Sequence, residues 1–237
     1  AAYFGLDRVN FMFHRNNHVN LSKLRHLGAV VPEISKWKWV EVEPVQGKHG
    51  WGYANWRDSN PETVREEAAG LSRVSLDFPN VTGAIIDDTS GIFTYDAYHA
   101  GRPQQIREAL HSANPKLKLW LVVYTHELGM EQWRPFLPFM DIVNLWVWKF
   151  QDLPRLEEYV ARCAEVFPGK EIIVGIYLRD YPARTGVPLD LLRGQCETVL
   201  RLWEQGRIAG CNILAGCLID MHPPQAEFIR GFIEKYS

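Results

Sequence analysis

The sequence predicts an α/β protein built as a (β/α) barrel of the TIM type, and three observations lead there. Short apolar or β-branched runs alternate with segments of helical periodicity from end to end. The 237 residues suit a single domain, 1–237, because barrels of this kind run to roughly 250 residues without dividing. No G-x-G-x-x-G turn follows the first strand, which removes the dinucleotide crevice of an open doubly wound sheet.

The predicted strands are VNFMFH (9–14), VVPEISKW (30–37), TGAIIDD (82–88), LKLWLVVYT (117–125), DIVNLWVW (141–148), EIIVGIYL (171–178) and CNILAGCLI (211–219). Helices are expected near 20–27, 61–77, 103–113, 130–139, 153–166, 188–206 and 223–235. Asn60-Pro61 and Pro103 open helices, because a proline at the first helical position lacks only an N–H that would have no partner there. Pro168-Gly169 and Gly206 close others. Seven strands are counted, so the eighth is a short piece near Tyr3 to Leu6, lies upstream, or is absent. The stretch from Trp37 to Ser59 follows the second strand, reads as a long loop, and carries Trp37, Trp39, Trp51, Tyr53 and Trp56.

Side chains two apart on a strand share a face, and the helix-covered face must be apolar. Val9, Phe11 and Phe13 are therefore expected outward, with Asn10, Met12 and His14 inward. The same reasoning puts Glu33, Ser35 and Trp37 inward on the second strand, and Trp120, Tyr124 and His126 on the fourth, with Glu127 at its end. Asn144, Trp146 and Trp148 face in from the fifth, and Gly175, Tyr177 and Arg179 from the sixth. On the seventh the inward set is Asn212, Gly216 and Asp220, with Asp220 ending the strand and Gly216 leaving room for a neighbour. Asp87 and Asp88 end the third strand, and one of them faces in.

Composition bounds the partners. A formal charge of −2 gives no general attraction to nucleic acid or an anionic membrane. No run reaches the ~18 apolar residues of a bilayer span, and no charged stretch followed by an apolar one opens the given sequence in the manner of a leader. Cys163, Cys196, Cys211 and Cys217 form no CxxC pair and read as ordinary buried thiols. The chain begins without Met, so its compartment is open, with a secreted or periplasmic setting expected ahead of a cytoplasmic one.

A barrel gathers the carboxyl ends of its strands around one mouth, and Glu33, Asp87, Asp88, Glu127 and Asp220 occupy such ends. Hydrolysis of a glycosidic bond needs two carboxyl groups, one protonated to release the leaving oxygen and one ionised as nucleophile or base. Glu127 is the candidate acid, since aromatic neighbours and Leu128 would desolvate it. Asp220, Asp87 or Asp88 would supply the partner. Nine tryptophans are many for this length, and Trp37, Trp39, Trp51, Trp146 and Trp148 could stack on sugar rings, with Glu33, His14, His126, Tyr124, Tyr177 and Arg179 completing the substrate contacts. The reading needs no cofactor. Its alternatives are a metal-dependent sugar isomerase or hydrolase, with His14, Glu33, Asp88, His126 and Asp220 as ligands, and a noncatalytic carbohydrate-binding barrel. No G-x-S-x-G elbow, Walker loop or H-E-x-x-H occurs.

The stretches GAIIDDTSG (83–91), LVVYTHEL (121–128) and GIYLRDYP (175–182) carry a diffuse resemblance over most of the chain. In them the chain resembles bacterial barrel proteins described as glycoside-hydrolase-like. In the large clan of barrel glycosidases the acid follows the fourth strand and the nucleophile the seventh. That resemblance implies those roles for Glu127 and Asp220. The chain differs from the clan in carrying His126 where an asparagine precedes the acid, and an aspartate where the nucleophile is a glutamate.

Overall fold

The computed structural model describes residues 1–12, 14–41, 53–58, 60–90, 101–129, 131–216 and 218–236, with backbone only for 36–41, 53–58 and Gln132. The chain folds into two compact units, one of Val9–Leu119 and one that joins Ala1–Arg8 to Trp120–Ser237.

In the Val9–Leu119 unit, β1 (Arg8–Phe11) pairs with β2 (Ala29–Pro32), and the N–H of Glu33 just beyond β2 donates to Phe11 O at 3.0 Å. Between them the short helix α1 (His18–Ser22) starts at Asn17, whose side chain accepts from the Asn20 N–H. Beyond β2 the chain forms an antiparallel hairpin of β3 (Lys36–Glu41) and β4 (Tyr53–Asp58), with Trp37 opposite Arg57 and Trp39 opposite Asn55. The segment expected as a long loop is thus paired at both ends. KWKW in β3 has the two-residue period of a ribbon strand.

Helix α2 (Pro61–Val74) begins as its sequence predicts, with Asn60 accepting from the Glu62 N–H and Pro61 in the first turn. It buries Val64, Ala68 and Leu71 on one face, the spacing of a helical stripe. It packs against α3 (Gly101–His111), and the buried Ser72 hydroxyl accepts from Ala113 and Asn114 N–H just past that helix. Between α2 and α3 in sequence runs β5 (Gly83–Ile86), buried throughout as a central parallel strand must be. Parallel bridges Val30 to Val81 and Glu33 to Ile85 tie β2 to β5. On the other side of β5, Lys118 N–H donates to Thr82 O at 3.1 Å, where β6 (Lys118–Tyr124) sets out.

In the second unit β6 is followed by β7 (Ile142–Trp146), helix α4 (Leu156–Val166) and β8 (Glu171–Tyr177). A two-residue hairpin comes next, β9 (Arg179–Asp180) with β10 (Thr185–Gly186). Helix α5 (Leu189–Glu204), β11 (Gly210–Leu214), the short α6 (Leu218–Met221) and α7 (Pro223–Tyr236) complete it. Strands β6, β7, β8 and β11 are parallel neighbours in that order. Parallel neighbours need long crossovers, here supplied by helices whose apolar stripes bury Leu156, Val160 and Cys163 on α4 and Leu192, Cys196, Val199 and Leu202 on α5. All of β7 is buried, which is why it reads as an almost unbroken apolar run.

The fold is mixed α/β with parallel strands, and each of the seven predicted strand segments contains a strand. Several boundaries differ. The first strand stops at Phe11. Tyr3 lies in a 3-10 turn, Ala2–Phe4, so the proposed short eighth strand there is not a strand. The segment expected as a helix over 130–139 is a 3-10 stretch, Glu131–Phe136, with Pro135 inside it removing a helical donor. Asp220 does not end a strand: β11 stops at Leu214, Gly216 takes φ +27°, and Asp220 sits on α6.

Candidate active site

The carboxyl ends of β6, β7 and β8 carry an aromatic cluster. Register sets it: Tyr124 of β6 pairs with Trp146 of β7, and Gly175 of β8 pairs with Asn212 of β11. Trp146 is only 6% exposed, and its indole covers Gly175. Its centroid lies 4.4 Å from that of Tyr177, itself buried. Trp148, half-exposed, is stacked on Tyr181 at 5.5 Å and meets Tyr124 edge-on at 5.4 Å. His126, exposed at the rim, stacks on Tyr124 at 5.5 Å. Trp146 and Tyr177 therefore form the packed floor, and Tyr124, His126, Trp148 and Tyr181 the accessible layer above it. Flat, partly apolar rings fixed by their neighbours suit contact with a sugar face at low entropic cost.

Glu127 follows on a 3-10 turn, Thr125–Glu127, and is 6% exposed. Its Oε2 accepts from the Tyr124 N–H at 2.9 Å, and its carbonyl accepts from Nε1 of the buried Trp133 at 2.9 Å. The buried side chain caps the turn that carries it. On the far side, the Arg179 guanidinium donates from Nη1 to His222 Nε2 at 3.3 Å. That contact ties the turn after α6, and so the segment carrying Asp220, to the end of β8. Burial first, and then the Arg179 charge, hold the His222 pKa below its ordinary value. Asp180, buried beside Arg179 in sequence, accepts from Phe150 N–H at 3.0 Å and Ala183 N–H at 2.6 Å. It joins the turn after β7 to the loop after β8.

Glu33, Asp87 and Asp88 lie in the other unit. Glu33, 0% exposed, accepts from the Ser35 hydroxyl at 3.2 Å, and the same hydroxyl accepts from Asp87 N–H at 2.8 Å. A buried carboxyl thus links the ends of β2 and β5. Asp87 Oδ1 accepts from Asp88 N–H at 3.0 Å, and Asp88 takes φ +41°, a left-handed conformation aspartate tolerates at a turn. His14 is exposed and stacks on Phe11, which corrects the expectation that it faces inward. Trp37 and Trp39 are on β3 of the hairpin. Trp51 lies outside the described residues. Gly216 has no atom near the position of a side chain, so it makes no room for a neighbour; Gly175 does that instead.

The structure thus brings Tyr124, His126, Glu127, Trp146, Trp148, Tyr177 and Arg179 together in one unit, and Glu33, Asp87 and Asp88 in the other. Among the described residues no three His, Cys, Asp or Glu side chains form a metal-ligating group. Sequence reasoning missed Tyr181, His222, Asp180 and Trp133. Tyr181 and Asp180 stand in the RDYP that follows β8, where the strand alternation used to orient side chains has ended.

Solved structures with a similar chain course include the PgaB (BpsB) glycoside hydrolase domain from Bordetella bronchiseptica. It is 14% identical, with a TM-score of 0.56 over 96% of this chain and 84% of that one. The fold is glycoside-hydrolase-like. Active domain 2 of a thermostable chitinase from Pyrococcus furiosus matches at 12% identity and a TM-score of 0.54, over 90% of this chain and 76% of that one. The β-glucuronidase of Bacteroides uniformis matches at 13% identity and a TM-score of 0.58, over 90% of this chain but 26% of that one. At such identities the likeness speaks for the fold alone. No protein-family model matches the sequence, and no curated protein does. No helix among the described residues is long and apolar enough to cross a membrane.

Proposed function

We propose that the protein is a glycoside-hydrolase-like enzyme that cleaves glycosidic bonds of an oligo- or polysaccharide by paired carboxyl groups. Its scaffold is a (β/α) barrel with β1, β2, β5, β6, β7, β8 and β11 as strands. The observation that carries the proposal is the half-exposed aromatic layer of Tyr124, Trp148 and Tyr181 on the same strand ends as the buried Glu127. The Tyr124 N–H donated to Oε2 fixes the orientation of the Glu127 side chain at the strand end, the positioning that the acid role needs. Asp220 is the first candidate for the ionised partner, because the Arg179 to His222 contact holds its segment to the end of β8.

A noncatalytic carbohydrate-binding barrel is the second reading. One observation favours it: the Glu127 carboxyl already serves as the cap of its own turn. A glycan screen with product analysis separates the two. Turnover that falls by about a hundredfold to ten-thousandfold in Glu127→Gln supports the acid assignment, since glutamine still accepts the Tyr124 N–H and keeps the turn. Near-normal rates in that variant remove Glu127 from catalysis. Tight binding without turnover on any glycan selects the second reading.

A further inference from the structure

We infer that Arg179 makes this aromatic face selective for a sugar bearing a carboxylate, such as a uronic acid. This inference rests on the reading that the face binds carbohydrate and narrows the substrate class. Arg179 is half-buried at the end of β8, where it borders a crevice lined by Trp148, Tyr177 and Asp180. Among the described residues its one hydrogen bond is to His222, and it has no ion pair. The carboxyls beside it in the chain and across the His222 contact do not pair with it among the described residues: Asp180 accepts two backbone N–H groups, and Asp220, on α6, makes no ion pair.

His222 matters because of what it does not supply. Its depressed pKa keeps it neutral near pH 7, so it orients the guanidinium as an acceptor without cancelling the charge. The result is an oriented cation beside an aromatic wall that lowers the local dielectric. Leaving such a charge uncompensated is costly, and a ligand that brings the counter-charge recovers that cost. Five N–H donors in a planar fork, one of them used on His222, leave a geometry matched to a carboxylate held two-point. The crevice itself, of about 10 Å³, admits no sugar ring. The ring would rest on Trp148 and Tyr181, with its acid group turned toward Arg179.

The test measures binding of oligosaccharide pairs matched in length and linkage, one neutral and one carrying uronic acid, by calorimetry to the whole chain. The natural chain is expected to prefer the acidic member by about tenfold to a hundredfold, the range of a charge-assisted hydrogen-bond pair. That preference should shrink as salt rises from 50 to 500 mM while neutral binding holds. Arg179→Gln should abolish the preference, read as the ratio of the two affinities in the same protein, and Arg179→Lys should keep only part of it. Equal affinity of the natural chain for both members, or equal loss of both in Arg179→Gln, overturns the inference and leaves the carbohydrate reading standing. Binding to neither member overturns both. The salt series on the natural chain decides the matter even if a variant fails to fold.

Discussion

The indole of Trp146 occupies the space that a side chain at Gly175 would need. A Cβ at position 175 would fall 2.0 Å from Cδ2 and 2.1 Å from Cε3 of that ring, far inside van der Waals contact. The absence of a side chain on β8 is therefore what lets a tryptophan from β7 lie across the inner face and support Tyr177. The aromatic layer above rests on this one close approach.

Gly175→Ala should accordingly destabilise the fold by about 1 to 3 kcal/mol, the usual cost of overpacking a filled interior. The loss is read from urea unfolding of the natural chain and the variant. It should come with altered near-ultraviolet circular dichroism, because the ring pair Trp146 and Tyr177 must move. An unchanged midpoint would show that the indole gives way freely, and the floor of the cluster would then not be rigid.

Asp180→Ala leaves the Phe150 and Ala183 N–H groups without the buried carboxylate they donate to. Orphaning two such donors costs about 2 to 4 kcal/mol in total, whereas Asp180→Asn retains one good acceptor and should cost less. The same substitution loosens the loop carrying Tyr181, so glycan affinity should fall in proportion. Stability and affinity are read on the same preparations, and a drop in affinity without a drop in stability would contradict this coupling.

On the outer surface Glu157 of α4 meets Arg201 of α5 and Arg207 beyond it. Hydrogen bonds from the two arginines hold its pKa at about 2, below the ordinary 4.5. The folded carboxyl thus stays ionised where the unfolded one protonates, so this contribution is complete above pH 4.5 and lost as pH falls toward 2. Glu157→Gln should flatten the acid limb of the stability profile in that window. Because the group is exposed, 1 M salt should erase most of the difference between the two proteins.

The parallel strands were legible because burial on both faces writes continuous apolar runs, as in β7 and β5, and because proline and glycine punctuate α2 and α4. The hairpin β3 and β4 was not. Strand β3 alternates tryptophan with lysine but YANWRD of β4 shows no such period, so the ribbon is recognised only once the pairing of the two strands is known. Asp220 was misplaced since Cys217 to Ile219 continue the apolar run of β11, while the turn at Gly216 that ends the strand has no apolar signature. Trp146 and Trp148 look alike in sequence, two apart on one face. What separates them is Gly175, which admits the first into the floor and leaves the second at the rim. Glu127 falls just past the end of β6, and its capping bond depends on a 3-10 turn that THE does not announce.

His222 provides a test of the rim at milder pH. Its folded pKa lies below the ordinary 6.5, through burial first and then the Arg179 charge. As pH falls, the unfolded chain takes up the proton before the folded one does, so stability rises with pH through the window below 6.5 and is complete above it. His222→Gln cannot take the proton, yet its carbonyl can still accept from Arg179. The difference in unfolding free energy between the natural chain and this variant should therefore slope below pH 6.5 and be level above it. A difference that is level throughout would mean that His222 titrates alike in both states, and the contact with Arg179 would then not exist in solution.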